Sequence, residues 1–167
     1  MTAYKFLLAD RVGFFTGFHW PDGEWVEATD ERTCAVGVHA CAPRDLPFWL
    51  LEELWEIELD GPVARGRHKL VAQRGRLVRR VDAWNSRAGE DFSQACVERV
   101  RELAARRPDA AGYLSDLGAW APHVRPAAVA SLAARAFEAV ESPRGYDDER
   151  AAQSAWLVGR LGLDVAV

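Results

Sequence analysis

The sequence predicts an α+β protein: a small, twisted antiparallel sheet in the N-terminal half, packed with an alanine-rich helical C-terminal half. Three observations carry this. Composition changes between Trp84 and Glu90, from a stretch rich in Trp, Phe, Val, Gly and Pro to one rich in alanine. Within the first stretch, Trp55-Glu56-Ile57-Glu58-Leu59-Asp60 alternates apolar and acidic residues, as a strand with one buried face requires. Within the second, Phe92, Cys96, Val100 and Leu103 recur at spacings of three and four, the period of a helix. The expected organisation is a β-rich subdomain over residues 1–87 with one short helix, and a helical subdomain over 88–167 with about four helices, together one compact unit.

In the β-rich half, Tyr4 to Leu8 reads as the opening strand. Pro21-Asp22-Gly23 is a turn signal, since proline presets φ and glycine accepts a positive one; Glu24 to Ala28 returns from it as a hairpin strand. Pro43 cannot continue a ladder, and Asp45 with Pro47 opens a short helix whose apolar stripe is Phe48, Trp49, Leu51 and Leu54. Gly61-Pro62 then ends the Trp55–Asp60 strand. Two further strands follow, His68 to Ala72 and Arg76 to Val81, joined tightly through Gln73-Arg74-Gly75.

The helical half divides at its breakers into Glu90–Arg106, Asp109–Trp120, Pro126–Val140 and Asp147–Leu161. Asp109 is placed to cap the second helix and Pro126 to start the third. Ser142-Pro143-Arg144-Gly145 reads as a turn. Asp147-Asp148-Glu149 sets negative charge at a helix N-terminus, and Gly162 closes the last helix from C′.

Composition bounds the function. The chain of 167 residues is 49% apolar and 28% charged, with a net charge of −4 and a pI near 5.6. That balance opposes a general nucleic-acid binder, which is normally strongly basic. The start lacks a basic n-region, and no apolar stretch approaches membrane-spanning length. The three cysteines make no disulfide framework, so the expectation is a cytoplasmic protein with free thiols, no cofactor and no membrane partner.

Candidate chemistry gathers in Thr33-Cys34-Ala35-Val36-Gly37-Val38-His39-Ala40-Cys41. Cys34, His39 and Cys41 are good zinc ligand types, and His19, His68, Cys96 or water would complete the set, but the spacing matches no common zinc knuckle, so no metal site is assigned. As catalytic candidates, His39 and Cys41 would share a strand face, with His19 or His68 as an alternative base. The plain account is structural: small buried cysteines, Gly37 at a bulge or close approach, and a hydrogen-bonded histidine. A fourth reading makes a non-covalent pocket between the sheet and the helical half, with Trp20 and Trp49 for stacking and Lys69 and Arg76 for charge around His39. Its ligand would be a small molecule, anionic or aromatic. The alternative is a protein-interaction module, binding through the helical half or the basic Arg65–Arg80 face. That face has a duller account too, in which its cations pair across strands with Glu56, Glu58 and Asp60.

These residues also resemble a group of uncharacterised, mostly actinobacterial proteins. The shared layout runs from Tyr4-Lys5-Phe6 through Cys34-x-x-Gly37-x-His39-Ala40-Cys41 to Trp55–Asp60, Lys69 to Ala72, and a helical tail with Trp156-Leu157 and Leu161-Gly162-Leu163. More distantly, the central motif is similar to one in small N-terminal domains of phage and bacterial proteins of unknown function, over about Lys5 to Val81. Neither resemblance implies an activity. A weaker likeness, to ADP-ribosyltransferase-type folds, would leave Glu56 and Glu58 as the only candidates for the catalytic glutamate, whose usual motif is not recognisable.

Overall fold

The computed structural model describes residues 1–28 and 37–164, an α+β protein whose described residues divide into two units, 1–28 and 37–85 with 161–164, and 86–160. Cys34 lies outside the described residues, so the central motif is described from Gly37 onwards.

The first unit is an antiparallel sheet. Its strands are β1 (Thr2–Leu7), β2 (Val26–Glu27), β3 (Val38–Ala40), β4 (Glu53–Arg65) and β5 (Leu70–Arg80). β4 lies between β1 and β5, and the far edge of β5 is shared: β2 pairs with Arg74 and Gly75, β3 with Leu70 to Ala72. The alternation in β4 does what it predicts. Trp55, Ile57 and Leu59 are buried in one cluster with Ala3, Leu7, Trp20, Val38, Ala40, Leu70, Ala72 and Leu77. The acidic residues of β4 face the cations of β5, with Glu58 opposite Arg76 and Asp60 opposite Arg74. These close as ion pairs at 2.7 Å for Arg76–Glu58 and 2.8 Å for Arg74–Asp60, and Arg79 pairs with Glu56. The cross-strand account of the basic stretch therefore holds for these three arginines.

Two expected breaks are absent. Gly61-Pro62 does not end β4, which runs on to Arg65. The register advances from Asp60↔Arg74 to Val63↔Ala72, so β4 carries one extra residue and Pro62 sits in a bulge. Gly61, at φ +81°, supplies the backbone geometry there. Likewise, Gln73-Arg74-Gly75 is not a connection but the middle of one long strand, β5. Gly75 is needed for packing: a Cβ there would lie 2.8 Å from Val38 Cγ1 and 3.1 Å from the Glu58 carbonyl oxygen. A second bulge, between Glu56↔Arg79 and Ile57↔Leu77, turns Val78 out to solvent.

The turn at Pro21-Asp22-Gly23 exists, with Gly23 at φ +68°, but it joins no hairpin, because β2 pairs with β5. The preceding loop is held by its own bridges, Leu8 with Val12 and Val12 with His19. The short helix is a 3-10 helix, Pro43–Phe48, so Leu51 and Leu54 lie beyond it and Leu54 belongs to β4. The other face of β1 is covered too. Tyr4 is fully buried, and its hydroxyl accepts from the Asp164 amide at 3.0 Å. Phe6 meets Trp84 edge-on at 5.5 Å.

The second unit is built on α1 (Ser86–Arg106), α2 (Ala111–Trp120), α3 (Pro126–Val140) and α4 (Pro143–Leu161). Phe92, Cys96, Val100 and Leu103 are all buried, as their spacing demands. On α3, Val129, Ala133, Ala136, Phe137 and Val140 are buried, while Leu132 is exposed and Ala130 and Ala134 replace it inside. Small side chains let the helices approach closely. Asp109 does not cap α2; it pairs with Arg107 at 3.2 Å. Ser142–Gly145 is not a free turn either, since Pro143 already begins α4. Gly145 fits there because a Cβ would lie 2.6 Å from the Phe137 carbonyl oxygen. This earlier start leaves Glu149 in the helix body, away from the dipole's positive end. It is buried, and it accepts from Arg99 Nε at 2.7 Å and from Gln153 Nε2 at 3.0 Å. Gly162, at φ +61°, is the expected C′ residue.

Candidate functional site

A chain of polar groups runs through the sheet unit, and it starts at Lys5. On β1, Ala3, Lys5 and Leu7 share the inward face, and Lys5 stands opposite Trp55. A lysine is thus placed where alternation calls for an apolar side chain. Its Nζ donates to the His39 carbonyl at 2.6 Å and lies 4.8 Å from the centre of the Trp20 ring. Among the described residues no carboxylate pairs with it, so burial dominates and pulls the amine from its ordinary 10.5 down to about 8.

Cys41 follows. Its backbone pairs with Tyr4, the Tyr4 amide to the Cys41 carbonyl at 2.9 Å and the return bond at 2.7 Å. The side chain is buried, and burial foremost, then the Asp45 carboxylate, pushes its thiol far up, with Lys5 pulling weakly the other way. Cys41 is therefore a neutral thiol at physiological pH. That environment favours the structural reading of Cys41 over the nucleophile reading.

Asp45, in the 3-10 helix, leads to His68. Its Oδ1 lies 3.2 Å from His68 Nδ1. Phe48 stacks on the imidazole at 3.7 Å with the rings 13° apart, and the Trp49 indole donates to the His68 carbonyl. His68 also holds φ +122°, a backbone conformation that side chains rarely adopt. It occupies the β4–β5 turn, where the Gly66 amide donates to the Lys69 carbonyl at 2.8 Å. In a neutral imidazole, a carboxylate on Nδ1 favours the hydrogen on that nitrogen and leaves Nε2 as an acceptor. The His68 side chain is 31% exposed, so the imidazole is both held and reachable.

The residues named from sequence are distributed accordingly. Trp20 and the His39 carbonyl surround Lys5. The His39 imidazole is half-buried on β3. Trp49 belongs to the His68 group, and Lys69 follows His68, its stem lying against Gly66. Arg76 is elsewhere: besides Glu58 it lies over the Trp25 ring at 4.9 Å, so its charge is already engaged. His19 is exposed in its loop, and Cys96 is buried in α1 with its thiol pushed up to about 12, mainly by burial. Among the described residues, no three His, Cys, Asp or Glu side chains are grouped to hold a metal ion.

Lys5, Asp45 and Phe48 were not among the sequence candidates. Lys5 had a legible signal, a cation at the inward position of an apolar strand. Asp45 reads locally as a cap, and only the β4–β5 turn brings His68 to it. No family model, curated protein or solved structure matches the chain.

Proposed function

We propose that this is a small-molecule-binding protein or small enzyme whose site is the line Lys5–Cys41–Asp45–His68, beside His39. The observation that carries the reading is the half-exposed His68 imidazole, held by a carboxylate and an aromatic face on strained backbone. Non-glycine residues at such φ values cluster at functional sites, because the surroundings must overcome the strain. A buried carboxylate that orients a histidine is the usual support for one that accepts a proton or a ligand hydrogen bond. Trp49 and Phe48 supply aromatic surface for a planar ligand, and Lys69 supplies positive charge for an anionic one.

The test is a small-molecule screen followed by NMR of the histidine and indole N–H signals. Small anionic and aromatic compounds should shift His68 and the Trp49 indole together, and Asp45→Ala should abolish this while the amide spectrum stays folded. Shifts confined to other residues would overturn the reading.

One observation favours a second reading, a protein-interaction module. The loop before Trp20 exposes Phe14 at 54%, Phe15 at 81% and Phe18 at 44%, an apolar concentration that a partner would cover. The basic face of β5 is less suited to that role, because Arg74, Arg76 and Arg79 are already paired.

A further inference from the structure

We infer that Lys5 is a carbonyl-trapping amine, forming an imine with a small, apolar aldehyde that enters the inward face of the sheet. This rests on the reading of the same line of side chains as a ligand site, and at its Lys5 end, away from Lys69, it sets the reacting group as a neutral aldehyde. Lysines and arginines together number 21, of which only Lys5 and Lys69 are lysines. Arginine keeps its charge under all ordinary conditions, whereas lysine can lose a proton and become a nucleophile. The one cation on the inward face of β1 is thus of the type that can turn neutral.

Its surroundings favour that neutral state. Ala3, Leu7, Ala40 and Trp55 form the apolar cluster around this face. The amine has a carbonyl acceptor, from His39, and an aromatic face, from Trp20, but among the described residues no carboxylate. The amine titrates near 8, so a useful fraction is unprotonated at neutral pH. Lys5 as a whole is half-buried, with its amine set deep among these side chains, so an aldehyde must be small to reach it. The apolar lining disfavours a charged carbonyl compound, which would lose its hydration on entry.

The chemistry balances without any other reactant. The Nζ lone pair adds to the aldehyde carbon, forming a C–N bond and opening the C=O bond to a carbinolamine hydroxyl. That oxygen departs as water, carrying both hydrogens that the neutral amine held, and a C=N bond remains. No oxidant or reductant takes part.

The experiment is reductive trapping of the full chain with propanal and cyanoborohydride at pH 7, followed by peptide mapping. Lys5 should be propylated at least tenfold faster than Lys69, despite being less exposed than an ordinary surface lysine. Its rate should rise with pH and level off above about 8. Lys5→Arg should remove that adduct and leave labelling at Lys69 unchanged. Equal or faster labelling of Lys69, with Lys5 reacting only after denaturation, would overturn the inference. Histidine and indole NMR with propanal, without reductant, separates the two levels. A His68 or Trp49 response without a Lys5 adduct would defeat the imine and keep the ligand site; no response to any small molecule would defeat both.

Discussion

Replacing Lys5 by Met should change how stability depends on pH. In the folded chain the amine titrates near 8; in the unfolded chain it titrates near its ordinary 10.5. Below about 8 both states carry the proton, and the folded state bears the full cost of a buried charge. Between about 8 and 10.5 the unfolded chain binds more protons than the folded one, so folding stability rises with pH across that window. At 1.36 kcal/mol per pH unit, the lowered value corresponds to about 3 kcal/mol. Methionine has a similar length and no charge, so Lys5→Met removes this dependence while keeping the packing against Trp20 and Trp55. It also removes the hydrogen bond from Lys5 to the His39 carbonyl, an opposing cost of about 1 kcal/mol that does not vary with pH. Urea unfolding of both proteins at pH 7 and at pH 10.5 measures the difference. Wild type should gain about 3 kcal/mol relative to the variant over that range. A gap that stays constant would show that Lys5 is solvated in the folded state, and the account of its environment would fail.

Two further outcomes follow from glycine geometry and thiol burial. Gly37→Ala should cost about 3 kcal/mol, since Gly37 sits at φ +100° and a Cβ would meet Val71 Cγ1 at 2.3 Å. Gly17→Ala, at φ +64° with nothing within 4 Å, should cost only about 1 kcal/mol; denaturant melts of the pair separate backbone strain from steric conflict, and equal losses would count against the close approach. Cys41 and Cys96 are free and buried, with both thiols pushed up chiefly by desolvation. Native alkylation at pH 8 followed by peptide mapping should leave both unmodified until denaturant is added, and rapid native labelling of Cys41 would restore its candidacy as a nucleophile.

Local patterns were legible wherever local chemistry decided the outcome. The period of two in Trp55–Asp60 marked a half-buried strand, and Pro126 with the apolar spacing through Val140 marked α3 at both ends. The breaks expected at Gly61-Pro62 and Gly75 are absent for one reason. Glycine and proline punctuate turns, but they also serve bulges and close backbone approaches, and the choice depends on what the neighbouring strand presents. Gly75 is a strand residue because Val38 and Glu58 press against it, and neither is near it in sequence. The early start of α4 has a similar origin, in the room that Gly145 leaves for the Phe137 carbonyl.

The site divides along the same line. His39, Trp20 and Trp49 stood out by residue type, yet what unites them is Lys5 and His68, whose partners lie on other strands. By itself the sequence determined the fold class, the inward face of β4 and the apolar faces of α1 and α3, because periodicity and breakers are properties of adjacent residues. Only the tertiary structure decided that Lys5 is enclosed with no carboxylate partner among the described residues, that Asp45 orients His68, and that Arg76 is committed to Glu58. Charge and hydrogen-bond partners are set by strand register, and register depends on the whole sheet.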